Sequence, residues 1–211
     1  MNIFRNFVVF EGGDGSGTST QIELLRGRFG SAPGGGLPAL FTTFEPTDTP
    51  IGRILREALR GTLSLQPETI ARLFAADRNE HLFGAGGIRE RCLGGELVVS
   101  DRYVPSSLAY QGIDCGEDLP ACLNRDFPLP ELLLFFDVDP DIALKRLEQR
   151  PGRDLYEHRE LQIRVRERYK ALLPAYAAGG VRLEYLDAGK PVEEVAEEVW
   201  RILRKLPIFE R

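Results

Sequence analysis

The chain has 211 residues, 43% hydrophobic and 28% charged, enough to bury one substantial core, and we read residues 1–211 as one domain. Its formal net charge of −5, from 27 Lys+Arg against 32 Asp+Glu, argues against nucleic-acid or anionic-membrane binding through a basic surface, so an anionic ligand would need local arginines. No apolar run approaches the roughly 18 residues that span a bilayer. The start also lacks a basic, apolar, cleavable leader, so a cytoplasmic location is expected.

Residues 7–10 form an apolar run that reads as a strand. It leads into Glu-Gly-Gly-Asp-Gly-Ser-Gly-Thr-Ser-Thr at positions 11–20, and then into a helical pattern over 21–29. A glycine loop between a strand and a helix is the context of a phosphate-binding loop. Here Gly12, Gly13, Asp14, Gly15, Ser16, Gly17, Thr18, Ser19 and Thr20 would supply inward-turned N–H groups, the positive end of the helix, and a Ser19 hydroxyl for Mg²⁺. The pattern G-x-x-x-x-G-K-[ST] runs from Gly12 to Ser19, but Thr18 stands where the lysine belongs.

Ile22, Leu24, Leu25 and Phe29 recur at helical spacing and are expected to face a sheet. A glycine- and proline-rich connection over 31–38 leads to a short strand at 39–43 and a break at 45–50. A helix over 51–60 would carry Ile54, Leu55 and Leu59 on one face, and Pro67 fits the first position of a long helix to about Phe83. Apolar runs at 97–99 and 132–136 suit buried strands, and Asp139-Pro140 reads as the N-cap of a helix over 140–149. A polar, arginine-dense break over 150–154 precedes a helix over 158–177, a strand at 182–186 and a closing helix over 191–203.

Strands alternating with helices imply an α/β fold with a parallel sheet covered on both faces, and ligands bound at the carboxyl ends of its strands. Asp101, after the strand at 97–99, has the placement of a second Mg²⁺ anchor beside Ser19, although alone it could equally cap a turn. Arg102 and Arg56 could fork a phosphate, while Phe74 and Arg78, four apart on a helix, could stack on a base and bond its edge. Each also has a bland reading, as a solvated arginine or a core phenylalanine. Cys92, Cys115 and Cys122 lack zinc spacing and are read as reduced bystanders.

The stretch Asp101-Arg102-Tyr103-Val104-Pro105-Ser106-Ser107-Leu108-Ala109-Tyr110-Gln111-Gly112 closely resembles the signature of thymidylate kinases. Leu73-Phe74-Ala75-Ala76-Asp77-Arg78 resembles their thymine-binding helix, and Phe10-Glu11-Gly12, Glu45-Pro46, Pro50-Ile51-Gly52 and Arg56 are similar to the family in the same order. The resemblance implies a P-loop NTPase three-layer fold with a five-stranded parallel sheet and a short lid at about 150–158. It also implies transfer of the γ-phosphoryl group of ATP to dTMP with Mg²⁺, and a homodimer. Its residue roles place Phe74 against thymine, Arg78, Ser107 and Gln111 on the polar edge of the base, and Arg56 and Arg102 on the acceptor phosphate. Asp14 would take the sugar 3′-hydroxyl, Tyr110 would crowd the 2′ position, Glu45 would lie near metal and phosphate, and Ser19 and Asp101 would hold Mg²⁺.

Three departures fall among the expected phosphate cations. Thr18 replaces the loop lysine, Phe44 replaces an arginine that many bacterial members carry before Glu-Pro, and the lid's Asp-Arg-apolar-Glu reads Asp154-Leu155-Tyr156-Glu157. Because Gly15, not arginine, follows Asp14, the chain resembles members whose catalytic arginine comes from the lid, and Arg153, with Arg150 and Arg159 nearby, is expected to supply the missing charge. A same-fold kinase for another deoxynucleotide, and a nucleotide-binding protein with impaired catalysis, are the competing readings.

Overall fold

The computed structural model describes residues 2–31, 36–148 and 159–210. Five parallel strands, β1 (Ile3–Gly12), β2 (Leu40–Phe44), β3 (Leu97–Asp101), β4 (Leu129–Asp137) and β5 (Arg182–Asp187), lie in the order β2-β3-β1-β4-β5. Residues alternate in direction along a strand. Val8 and Phe10 therefore enter one core, beneath α1 (Thr18–Gly30) and α9 (Val192–Leu203), while Phe7 and Val9 enter another. That second core lies beneath α5 (Val104–Asp114) and α8 (Arg159–Ala178), and β4 divides likewise into Leu132, Leu134 and Phe136 against Leu133 and Phe135. Burial on both faces explains why these strands read as continuous apolar runs.

Between β2 and β3 come α2 (Pro50–Leu59), α3 (Pro67–Phe83) and α4 (Ile88–Leu93), and α6 (Asp118–Asn124) separates α5 from β4. The starts of α2 and α7 (Pro140–Leu147) follow local chemistry: Thr49 accepts from the Gly52 N–H, Asp139 from the Asp141 N–H, and a proline opens each helix. Two expected core residues are not core. Leu24 is 38% exposed and Ile54 41%, because Ile22 and Leu25 in α1, and Leu55 and Leu59 in α2, already fill the stripes that face inward. Sequence periodicity also missed α4 and α6, which at six and seven residues span too few turns to show a repeat.

β1 is the switch point, with β3 on one side and β4 on the other. Pairing of Phe10 with Asp101, and of Asp101 with Phe44, sets three strand ends side by side around the glycine loop. No described helix is long and apolar enough to cross a membrane.

Candidate active site

The loop after β1 turns on two left-handed glycines, Gly15 at φ 81° and Gly17 at φ 93°, the latter serving as N-cap of α1. A side chain at Gly15 would also stand 2.6 Å from the Ala143 carbonyl of α7, so glycine is required there twice over. Thr18 is the first residue of α1 and is buried. Ser19 Oγ donates to Asp101 Oδ2 at 2.7 Å, joining the residues expected to hold a metal. Asp101 Oδ1 is buried with no hydrogen-bond partner among the described residues. A buried carboxylate oxygen without a donor is costly unless a ligand satisfies it, so the pair fits a water-clad Mg²⁺.

Beside the loop lies a cleft lined by Asp14, Glu45, Pro46, Leu59, Phe74, Arg78, Arg102, Tyr103, Ser106, Ser107, Tyr110 and Gln111. Eight of the nine residues expected to bind the acceptor thus come together from just beyond the carboxyl ends of β1, β2 and β3 and from α3 and α5. The ninth, Arg56, does not line it. Its guanidinium bonds the carbonyls of Pro46 at 2.5 Å and Thr47 at 2.6 Å and pairs with Asp48. The loop that presents those carbonyls is held in turn by buried Asp77, which accepts from the Thr47 N–H at 2.7 Å and its hydroxyl at 2.6 Å.

Within the cleft, Arg102 Nη2 pairs with Asp14, and Arg102 Nη1 reaches the Gly12 carbonyl and Ser106 Oγ, each at 3.3 Å. Tyr110 donates its hydroxyl to Asp14 at 3.0 Å. Gln162 of α8 closes the group: Asp14 N–H donates to its Oε1 at 3.0 Å, and its Nε2 donates to Asp14 Oδ2 at 2.9 Å. Sequence reading assigned no role to Gln162 or to Asp77, since the partners of each lie on other elements of the fold.

Glu45, on the cleft wall, is tied to α3. Its Oε2 accepts from Arg78 Nε at 2.9 Å and Nη2 at 2.6 Å, and its Oε1 faces His81 Nδ1 at 3.1 Å. Burial pushes its carboxyl up, but Arg78 and His81 pull harder and hold it below the ordinary carboxylate range. Both oxygens are therefore engaged by side chains of α3. A buried carboxylate needs such a partner, and Arg78 at 1% exposure needs one equally. Arg78 also donates to Asn124 and, at 3.0 Å, to Ser107 Oγ. Four of its five N–H groups are so used among the described residues, and one is left for a ligand. Gln111 Oε1, on the cleft wall, is buried and takes no hydrogen bond from the described residues.

On the opposite side of the loop, Arg146 of α7 donates to the Gly15 carbonyl at 3.3 Å and the Ala188 carbonyl at 2.9 Å, spanning the glycine loop and the turn after β5. Sequence reading missed it, because one arginine on a helix has no distinguishing pattern. Arg150 and Arg153, the expected lid cations, lie outside the described residues, while Arg159 pairs with Asp141 on the surface.

The thymidylate kinase family model matches residues 10–199. A Treponema pallidum protein carrying a thymidylate kinase name is 37% identical over 208 residues, which cover 97% of this chain and 98% of that one. One from Pyrobaculum aerophilum, likewise named, is 39% identical over 205 residues, 96% of this chain and 98% of that one. Among solved structures, thymidylate kinase from Candida albicans superposes with a TM-score of 0.77 at 23% identity, covering 97% of this chain and 93% of that one, a likeness of fold.

Proposed function

The chain belongs to the thymidylate kinase family, and on that premise we propose that it transfers the γ-phosphoryl group of ATP to dTMP, giving dTDP and ADP, with the acceptor in the cleft beside the glycine loop. The observation that carries this reading is the free acceptor atom of Gln111 in a cleft that also holds Phe74 and Arg78. The N3 position of thymine or uracil is a donor that Gln111 Oε1 can accept from, and the remaining Arg78 N–H can donate to the adjacent carbonyl, whereas cytosine presents an acceptor at N3 and an amino group beside it. Tyr110, bonded to Asp14, crowds the ribose 2′ position and leaves Asp14 facing the 3′-hydroxyl.

Phosphoryl transfer asks the protein for alignment and for cations around the equatorial oxygens. An acceptor phosphate oxygen, already ionised at neutral pH, forms the new bond to the γ-phosphorus as the bond to the β-bridging oxygen breaks, so no general base is required. Arg102 offsets the acceptor's charge, joined by Arg56 if its guanidinium leaves the Pro46 and Thr47 carbonyls. Ser19 and Asp101 would hold Mg²⁺, which when bound neutralises charge on the β- and γ-phosphates. Arg146 marks the donor side, and the turn after β5 that it also holds is our proposed location for the adenine. The family resemblance further carries the proposals of a homodimer and a cytoplasmic location.

A coupled assay of ADP formation with dTMP, ATP and Mg²⁺ tests the reading, with dUMP and dCMP as comparison acceptors; preference for dCMP or absence of turnover would overturn it. Thr18 is the observation that favours a second reading, nucleotide binding without catalysis, which predicts that ATP and dTMP bind while no ADP forms. On the first reading Arg153 of the lid supplies the charge that Thr18 lacks, and Arg153→Ala lowers kcat by about 10³-fold. Parent-like turnover in that variant would reassign the role.

A further inference from the structure

The carboxyl of Glu11 takes no part in the steps above, yet it is fully buried at the end of β1, directly before the glycine loop. Its Oε1 accepts from the backbone N–H of Tyr103 at 2.9 Å and of Ser106 at 3.3 Å. Its Oε2 accepts from the Ser106 hydroxyl at 2.7 Å and the Tyr169 hydroxyl at 2.8 Å. Tyr103 is the N-cap residue of α5 and makes no side-chain cap of its own, and Ser106 is the third residue of that helix. Glu11 therefore caps α5 from another strand, taking the N–H groups that a capping box within the helix would take. Pro105, between them, has no N–H to satisfy.

Tyr169 extends the joint to α8. Seven residues earlier on the same helix, and on the same face, Gln162 clamps Asp14, so α8 grips the loop's first residues at two points. Arg102 hangs from the same hydroxyl, since its Nη1 donates to the Ser106 Oγ that Glu11 holds.

We propose that Glu11 is a positioning residue for the acceptor site: it locks α5, which carries Ser107, Tyr110 and Gln111 and follows Arg102, to α8 through Tyr169, so that acceptor helix, glycine loop and post-lid helix keep one registry. Its kinetic consequences rest on the kinase reading; its structural ones do not. The groups facing the carboxyl are Arg102 and Tyr103 from the β3–α5 junction, and Tyr169 and Tyr176 from α8. Burial pushes Glu11 up to about 7, against the pull of Ser106, Arg102, Tyr169 and Tyr103. Burial raises all three tyrosines above their ordinary value, and a guanidinium keeps its proton, so of these groups Glu11 is the one that changes charge near neutrality. Ionised, it accepts all four donors. Protonated, it must donate, and either the Ser106 or the Tyr169 hydroxyl must turn away to receive that proton. The joint is thus tightest above neutrality.

The test compares the parent with Glu11→Gln and Tyr169→Phe in two measurements: hydrogen exchange of the first-turn amides of α5 without nucleotide, and steady-state KM values across neutral pH. Both variants should exchange those amides about tenfold faster, and Tyr169→Phe should raise the KM for dTMP about tenfold while leaving that for ATP unchanged. The parent's KM for dTMP should fall as pH rises through neutrality, and Glu11→Gln should lose that inflection although both proteins see the same titration of the substrate phosphate. A general loss of stability would lower the active fraction without moving one substrate's KM or the pH profile. Parent-like exchange in both variants overturns the joint, and parent-like KM and pH profile overturn its role at the acceptor site. If the parent phosphorylates nothing, the kinase reading fails while the exchange measurement still decides the joint; if Glu11→Gln does not fold, Tyr169→Phe, lacking one hydroxyl, decides it alone.

Discussion

Arg102→Ala should lower kcat/KM for dTMP by about 10²–10³-fold while leaving the KM for ATP nearly unchanged, read by varying each substrate at saturation of the other. The size follows from what surrounds the side chain. Its guanidinium is already bonded to Gly12, Ser106 and Asp14, so no ligand has to order it, and its charge faces the acceptor cleft. Removing it would also leave Asp14 without its cation. Arg102→Lys should recover little, because a compact ammonium cannot reproduce a fork that reaches three acceptors. Arg102 also sits at φ 72°, a left-handed value held by its N–H on the Phe10 carbonyl and by the Ser100 hydroxyl on its own carbonyl. Arg102→Gly relieves that conformation and should be as inactive as the alanine variant. Glycine restoring activity would mean that the backbone, not the guanidinium, carries the effect.

What could be read from the sequence was whatever a short stretch of chain determines by itself. The glycine loop, the N-cap at Asp139, and the acidic strand end at Asp101 each depend on neighbours within a few residues. The cleft lining was legible for another reason: its residues lie in compact motifs whose order matches a known family. What stayed hidden was pairing across the fold. Glu11 meets Tyr169 across 158 residues, Asp14 meets Gln162 across 148, and Arg146 meets the Gly15 carbonyl across 131. None leaves a periodic trace, because each partner stands alone on its helix. The pairing of Glu45 was hidden for a related reason. A carboxylate after a strand looks like a ligand for metal or phosphate, and only the folded chain shows that Arg78 and His81 also lie against it.

That pairing carries the largest expected effect on stability. Arg78→Met should destabilise the protein by about 3–5 kcal/mol, because Glu45 would be left as a buried charge without its main partner. For a chain of this size the loss corresponds to a fall in Tm of roughly 6–20 °C. Adding Glu45→Gln to that variant should restore part of the loss, since the stranded charge is then gone, and a double variant no more stable than Arg78→Met would show that packing, not charge, dominates. The pH dependence separates the two further. In the parent, Glu45 is held below its ordinary value, so it contributes stability that is present above the unfolded pKa and lost as pH falls through the lower folded one. Without Arg78, burial is the leading influence left on the carboxyl and pushes it the other way. Its contribution then becomes most favourable in acid and declines as pH rises. The deficit of Arg78→Met relative to the parent should therefore widen between about pH 5 and pH 8. A constant deficit across that range would mean that Glu45 does not carry the cost.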